Sequence, residues 1–304
     1  MSASHNHSHS HKQLNYNRAF AIGFILNAGF VVVEATYGFL TNSLALVADA
    51  GHNLSDVLGL VLAWGASFLS QRPPTKRYTY GLRRSSILAA LLNAIILLLV
   101  MGGVAWESIR RFSNPSPIPG NVVIGVAIAG VIINTITALM FLSGRKRDIN
   151  IRGAFLHMAA DAMVSLGVVL AGVAILTTGW LWFDPAISLI VVAVVIINSW
   201  QLLWESLNLA LDAVPIGIEL LAVRTYLSEL PGVIEVHDLH IWGMSSSEVA
   251  LTAHLVMPNG HPGDAFLAKV VQELHDIFGI EHTTIQLEIG DPNNPCVLAP
   301  QNLV

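Results

Sequence analysis

Charged residues are scarce in this 304-residue chain: Asp, Glu, Lys and Arg make up only 12% of it, while 54% is hydrophobic. Soluble domains carry about twice that share of charge. The shortfall excludes an ordinary soluble enzyme and a disordered chain. A polytopic membrane protein is the reading that remains. There is one cysteine, which excludes a disulfide framework and a four-cysteine zinc site. The thirteen prolines are dispersed, and no low-complexity tract exceeds the His-rich start. A net charge of −5 argues against a nucleic-acid partner.

What charge there is falls unevenly. Residues 1–213 hold 13 Lys/Arg and 9 Asp/Glu, whereas residues 214–304 hold 2 and 11. The net charge is therefore +4 for the first part and −9 for the second. Hydrophobicity divides in the same place. We expect a His-rich disordered tail over 1–15, a transmembrane domain over 16–210, a cytoplasmic α/β domain over 214–291 and a tail over 292–304.

A helix needs about 20 mostly apolar residues to cross a bilayer. Six stretches qualify: Tyr16–Leu40, Leu44–Ser70, Arg84–Phe112, Asn121–Ser143, Ile151–Thr178 and Pro185–Ala210. The breaks between them carry the Gly, Pro, Asn or charge of turns. The first span is too long for a signal peptide and lacks a cleavage site of small residues. Lys and Arg set the orientation. Six spans put Lys12, Arg18, Arg72, Lys76, Arg77, Arg83, Arg84, Arg145, Lys146, Arg147 and Arg152 on one side. Only Arg110 and Arg111 fall on the other. The basic side is expected to be cytoplasmic, with both termini on it. Trp180, Trp182 and Phe183 then form an aromatic belt at the far interface.

The acidic part reads as helix–strand–strand–helix–strand. Helices are expected over Ile216–Leu230 and Pro262–Phe278, and strands over Val233–Trp242, Val249–Val256 and Thr283–Ile289. Ile285, Leu287 and Ile289 alternate onto one face of the last strand. The order suggests a small open sheet with helices on one face.

The twelve histidines form three groups, and none lies in a loop between spans. The strongest signal lies inside the membrane. The second span reads LVADAGHNLSDVLGL and the fifth IRGAFLHMAADAMVSLG. Both carry His-x-x-x-Asp: His52 with Asp56, and His157 with Asp161. A spacing of four puts both side chains on one helix face. Ionisable groups in hydrocarbon are costly and mark ion paths. Two imidazoles and two carboxylates match a tetrahedral Zn2+ shell, and the imidazoles favour Zn2+, Co2+, Ni2+ or Cu2+ over Mg2+ or Ca2+. The bland alternative is two separate His–Asp pairs that hold the bundle together. Repetition of the spacing in two non-adjacent spans argues against it.

Asp49 shares the face of His52 and Asp56. It is a candidate proton carrier or access-path carboxylate, weighed evenly against a helix-end residue. Glu34 reads as a gate or, with more weight, as a snorkelling or interfacial carboxylate. Asn27, Asn93 and Asn134 read as interhelical hydrogen-bonding amides, and Asn53 as a packing residue. His5, His7, His9 and His11 alternate with polar residues and suit loose chelation of a divalent ion.

In the soluble part, VHDLHIW, TAHLV and TIQLE fall on the three expected strands. His237, His254 and Glu288 fit a Zn2+ shell. His240 lies three residues from His237, which turns it to the opposite face on strict alternation. His282, Gln286 and Cys296 are candidates for an edge site, and His261 and His275 for the surface.

Taken together, these features resemble the cation diffusion facilitator family, and most closely its bacterial zinc (zinc/cadmium/cobalt) exporters. NSLALVADAGHNLSD at 42–56, TYG at 79–81, ILAALLNA at 87–94 and HDLHIWGM at 237–244 carry the resemblance. It implies a proton-coupled antiporter of Zn2+, with Cd2+, Co2+ or Ni2+ as further substrates, acting as a homodimer in a bacterial inner membrane. It implies a transport site of His52, Asp56, His157 and Asp161. It also implies a metallochaperone-like cytoplasmic domain that dimerises and binds regulatory Zn2+, with no organic cofactor. The chain departs from the family in five places, one being the loop after span four, which is short and has no His, unlike the His-rich loop of many vesicular animal members. The 71–84 loop has no His or Asp, so a loop metal site is not expected. Arg84-Ser85-Ser86 lacks a Glu found in many relatives, which puts a charge pair there in doubt. Gln286 replaces a His ligand, and Cys296 lacks a second Cys. Rival readings are an intramembrane zinc enzyme, a membrane metal sensor that does not transport, and a passive channel. No His-Glu-x-x-His is present, and four protein ligands leave no open position for a catalytic water.

Overall fold

The computed structural model describes residues 16–70, 72–142 and 149–298. Six long helices come first: α1 (Tyr16–Leu40), α2 (Leu44–Ser70), α3 (Ser85–Ser113), α4 (Gly120–Phe141), α5 (Ile149–Thr178) and α6 (Phe183–Ala210). All six are long and apolar enough to cross a membrane. Phe39, Trp64, Leu99 and Ile197 are among the large side chains they leave exposed, as lipid-facing helices do. Then come α7 (Leu220–Ser228), β1 (Glu235–Gly243), β2 (Val249–Val256), α8 (Asp264–Phe278) and β3 (His282–Glu288). The order expected from the sequence is the order found. The His-rich tail with His5, His7, His9 and His11, and the basic residues Arg145, Lys146 and Arg147, lie outside the described residues.

The chain divides into two compact units. One holds the residues up to Val57 together with Leu99–Ile196, and the other holds Leu58–Leu98 with Ile197 onward. In the first unit, α4 packs along α5 and against α1. Phe30, Ala45, Leu46, Val123, Val126, Ala127 and Val168 form its core. The α4–α5 approach depends on glycine. A Cβ on Gly172 would lie 2.6 Å from the Ile124 side chain, and one on Gly120 would lie 3.1 Å from the Gly172 carbonyl oxygen. Small residues let membrane helices come this close.

The α1–α2 turn is built by three polar residues. Asn42 takes the left-handed conformation (φ 55°) that ends a helix. Ser43 then caps α2, its hydroxyl accepting from the Leu46 N–H at 3.3 Å. Asp184, at the start of α6, completes the cap. Its carboxylate accepts from Ser43 Oγ at 2.6 Å and from the Leu44 and Ala45 N–H groups at 2.8 and 3.3 Å. A carboxylate at a helix N-terminus meets the positive end of the dipole. Nothing in the sequence pattern marks Asp184 for this role.

In the second unit, β1 and β2 pair antiparallel and β2 and β3 pair parallel, in the order β1-β2-β3. The parallel pair requires a crossover, and α8 supplies it. Val223 and Leu227 of α7 and Val270 and Leu274 of α8 join Val236, Leu239, Ile241, Leu251 and Leu255 in one core. Two expectations are corrected. The helix expected from Ile216 begins at Leu220, because Pro215 and Gly217 (φ 98°) hold a turn first. Ile289 lies beyond β3 and is exposed, so only Ile285 and Leu287 reach the core. The charge pair put in doubt at Arg84 exists with another partner: Arg84 meets Asp212, and Arg83 meets Glu248 at 2.8 Å.

Candidate metal centres

The α2 and α5 motifs converge within the first unit. His52 Nε2 lies 3.2 Å from Asp161 Oδ1 and 3.9 Å from Asp56 Oδ2. His157 Nε2 lies 3.4 Å from Asp56 Oδ2 and 3.7 Å from Asp161 Oδ2. The two rings meet edge to face with centroids 6.2 Å apart. Each imidazole is therefore nearer the carboxylate of the other helix than that of its own. This is one four-residue cluster, not two pairs along separate helices. One donor atom each from His52, Asp56 and Asp161 falls within a 4.8 Å group. His157 touches both carboxylates from the side without joining that trio. Exposure is graded: the Asp161 and His52 side chains are 2% and 16% exposed, those of Asp56 and His157 35% and 42%. The cluster is closed at Asp161 and open at Asp56 and His157.

One turn away stands a second polar group. Glu34 and Asp49 are fully buried. Asn53 donates to Glu34 Oε2 at 3.1 Å, and Ser165 donates to Asp49 Oδ2 at 2.9 Å. Asn53 stands four residues after Asp49 on one face of α2, so its bond to Glu34 makes the two carboxyl groups neighbours. Burial rules out the snorkelling expected of Glu34, and Asn53 bridges to it instead of only packing. Asn27 donates to Met158 Sδ at 3.6 Å, whereas the buried amide of Asn134 finds no partner among the described residues.

In the second unit, His237 and His254 stand directly opposite on β1 and β2, and Glu288 of β3 pairs in register with Val256 of β2. His237 Nε2 is 3.4 Å from Glu288 Oε2, and His254 Nδ1 is 2.9 Å from Glu288 Oε1. Cys296 Sγ reaches His254 Nδ1 at 3.5 Å. These four residues offer donor atoms within 4.8 Å of one another. Both ring nitrogens of His237 are buried without a hydrogen-bond partner among the described residues. Burial acts to raise the Glu288 carboxyl, but the Cys296 thiol, the Gln286 amide and the two imidazoles outweigh it and hold the group below the usual carboxylate range. For Cys296 the backbone of Leu298 acts to lower the thiol. Burial and the Glu288 and Asp238 carboxylates outweigh that and push it up.

A bulge shapes this site. The register shifts between His237 and His240, with Asp238 at φ 47°. The extra residue sets His240 opposite Thr252, on the face that His237 and His254 share. The strict alternation that turned His240 away fails for this reason. Asp238, which the sequence reading missed, approaches His254 Nε2 at 3.5 Å and His240 at 3.0 Å. His282 stands apart from the cluster. It begins β3 opposite Ala250, six residues before Glu288, and its ring meets Tyr80 edge-on. Strand rise of about 3.3 Å per residue separates the two ends by roughly 20 Å. Gln286 donates to Glu288 Oε1 at 2.9 Å and so orients it. His261 and His275 are exposed.

The family model described as the cation efflux transmembrane domain matches residues 20–209. The chain belongs to the cation efflux family. A second model, the cation efflux protein cytoplasmic domain, matches residues 215–289. The chain is 37% identical over 283 residues to the zinc transporter ZitB of Escherichia coli, covering 92% of this chain and 90% of that protein. It is 37% identical over 280 residues to the metal cation efflux system protein CzcD of Cupriavidus metallidurans, covering 92% and 87%. It is 36% identical over 278 residues to a cadmium, cobalt and zinc/H(+)-K(+) antiporter of Bacillus velezensis, covering 90% and 88%.

Proposed function

We propose that this cation efflux protein is a secondary transporter that exports Zn2+, and with it Cd2+, Co2+ or Ni2+, from the cytoplasm in exchange for protons. The observation that carries the reading is the crossed cluster of His52, Asp56, His157 and Asp161, in which each imidazole reaches the carboxylate of the other helix. The names of its relatives, a zinc transporter and a cadmium, cobalt and zinc antiporter among them, support the substrate class.

The mechanism follows from the donor chemistry. The metal requires neutral imidazoles and ionised carboxylates, so protons compete with Zn2+ for the same four residues. Imidazole, with an unperturbed pKa near 6.5, suits the exchange. A site facing the cytoplasm binds Zn2+, closes, and opens outward. There protons displace the ion, and the protonated site returns. Motion of α2 against α5 makes and unmakes the site, because each helix supplies half of it. One proton per Zn2+ would export one net charge against about 2.3 kcal/mol per 100 mV, and two would make the cycle electroneutral.

His237, His254, Glu288 and Cys296 form the proposed regulatory Zn2+ site. Metal bound there biases the geometry of a homodimer joined through the cytoplasmic domain. The weight of Lys and Arg on one side of the spans supports cytoplasmic termini in a bacterial inner membrane. Zn2+ flux into sealed proteoliposomes, with and without a pH gradient, tests the reading against an Asp161→Ala variant. Gradient-driven flux lost in the variant is the expected result. Tight Zn2+ binding without flux would make the protein a sensor, and flux indifferent to the gradient would make it a channel.

A further inference from the structure

The metal cluster does not account for Glu34 and Asp49. Both are fully buried, in α1 and α2 of the first unit. One oxygen of each is satisfied by a neutral donor, Asn53 or Ser165. The remaining oxygens, Glu34 Oε1 and Asp49 Oδ1, are buried with no donor in reach among the described residues. Yet the two carboxyl groups are neighbours: Asn53, which holds Glu34, stands four residues after Asp49 on the same face of α2. Ionised carboxylates are acceptors only. Two of them in contact away from water would repel, and each would leave a lone pair unmet. One proton between them resolves both faults: the protonated group donates and the ionised group accepts.

The pair is tied to the metal cluster at both ends. Asn53, the donor to Glu34, follows His52 directly in α2. Ser165, the donor to Asp49, stands four residues after Asp161 in α5. Any motion of α2 against α5 that opens the cluster also pulls on the Ser165–Asp49 hydrogen bond. The ionisable groups that bear on the pair are Asp161 from α5 and His52 from its own helix, and α4 carries none. A divalent ion arriving one turn away favours loss of a proton from the pair, and its departure favours recapture. Linkage makes the effect reciprocal.

We propose that Glu34 and Asp49 share one proton, and that this proton is a counter-ion of transport held apart from the His–Asp cluster. On the outward side an O–H bond forms at the pair as the metal leaves. On the cytoplasmic side that bond breaks to solvent as the metal binds. This rests on the antiport reading above. It gives the cycle a proton-binding group besides the imidazoles, and so a route to electroneutral exchange.

The test uses the full chain in lipid vesicles, with Glu34→Gln and Asp49→Asn as near-isosteric variants whose melting curves report folding. Infrared spectroscopy should find the carbonyl stretch of a buried protonated carboxylic acid, shifted by deuterium and lost in both variants. Proton counterflow, counted with an internal pH dye, should fall by about one proton per Zn2+ in each folded variant. Zn2+ flux in the variants should then follow an imposed membrane potential that leaves the unaltered protein indifferent. No acid band overturns the proposal whatever the flux. A band with unchanged counterflow in the variants also overturns it, since the proton is then fixed. Flux without any proton counterflow in the unaltered protein overturns the antiport reading itself, and the band separates that failure from failure of the pair.

Discussion

His52 is bound more closely to Asp161, 109 residues away, than to Asp56 one turn along its own helix: 3.2 Å against 3.9 Å. The spacing of four put His52 and Asp56 on one face and left open whether they form a private pair. The distances decide for the cross-helix contact. A double-mutant cycle on the metal-free protein checks this. His52→Gln with Asp161→Asn should show a coupling of about 1 kcal/mol, and His52→Gln with Asp56→Asn a coupling near zero. Melting in detergent measures both. In Zn2+ competition, Asp161→Asn should cost about 100-fold in affinity or more, because it removes a buried ligand.

Asp184 holds the start of α2 through three hydrogen bonds, and α2 carries half of the His–Asp cluster. Asp184→Ala leaves two backbone N–H groups and the Ser43 hydroxyl without an acceptor in a buried place. Hydrogen bonds to charged groups contribute about 1.5–3 kcal/mol, so a loss of about 3 kcal/mol is expected. Ser43→Ala, which removes the local cap alone, should cost about 1 kcal/mol. Thermal unfolding in detergent should rank them in that order. Equal losses would mean that the cap across the chain does not bear on stability.

In the second unit, the Tyr226 hydroxyl donates to Glu273 Oε2 at 2.6 Å and links α7 to α8. Burial and the neighbouring carboxylate push the phenol above its ordinary value of about 10. The neutral phenol is the donor, so a raised folded-state value means stabilisation that is complete below about pH 10. It is lost only as pH rises through the folded-state value. Tyr226→Phe should therefore cost about 1 kcal/mol at pH 8, and the difference should vanish in strong alkali. Hydrogen exchange of the α7 and α8 amides on the full chain reads the first. Melting at high pH reads the second.

The helices were legible because hydrophobic runs and breaks are local properties: α1 and α2 fall where the runs predicted them. The His–Asp cluster was legible because repetition of a four-residue spacing carries information that one motif does not. What stayed hidden depends on distant pairing. Asp184 reads as a turn residue until the N-terminus of α2 arrives beside it. Glu34 reads as interfacial until Asn53 covers it. His282 reads as a ligand because its residue type fits, and only the length of β3 removes it from Glu288. The bulge at Asp238 has a faint sequence trace. Val236 and Leu239 lie three apart yet both reach the core, which an unbroken strand does not permit.

That bulge bears directly on the second candidate site. It brings Asp238 to His254 and leaves His237 facing Glu288, and the buried ring nitrogens of His237 make no hydrogen bond among the described residues. Buried imidazole nitrogens without partners are costly; a bound metal would take one of them, and Glu235 lies 3.5 Å from Nδ1. Equilibrium dialysis of the full chain should then find a Zn2+ population that His254→Ala removes and Asp161→Ala does not. Cys296→Ser should weaken that population by about 10-fold or more, since thiolate is the softer ligand. Asp238→Asn should weaken it less, because the carboxylate acts through His254. If His254→Ala leaves the Zn2+ count unchanged, the cluster is a hydrogen-bonded core of the sheet. If the count falls while gradient-driven flux survives with an altered dependence on cytoplasmic Zn2+, the site regulates and the intramembrane cluster transports.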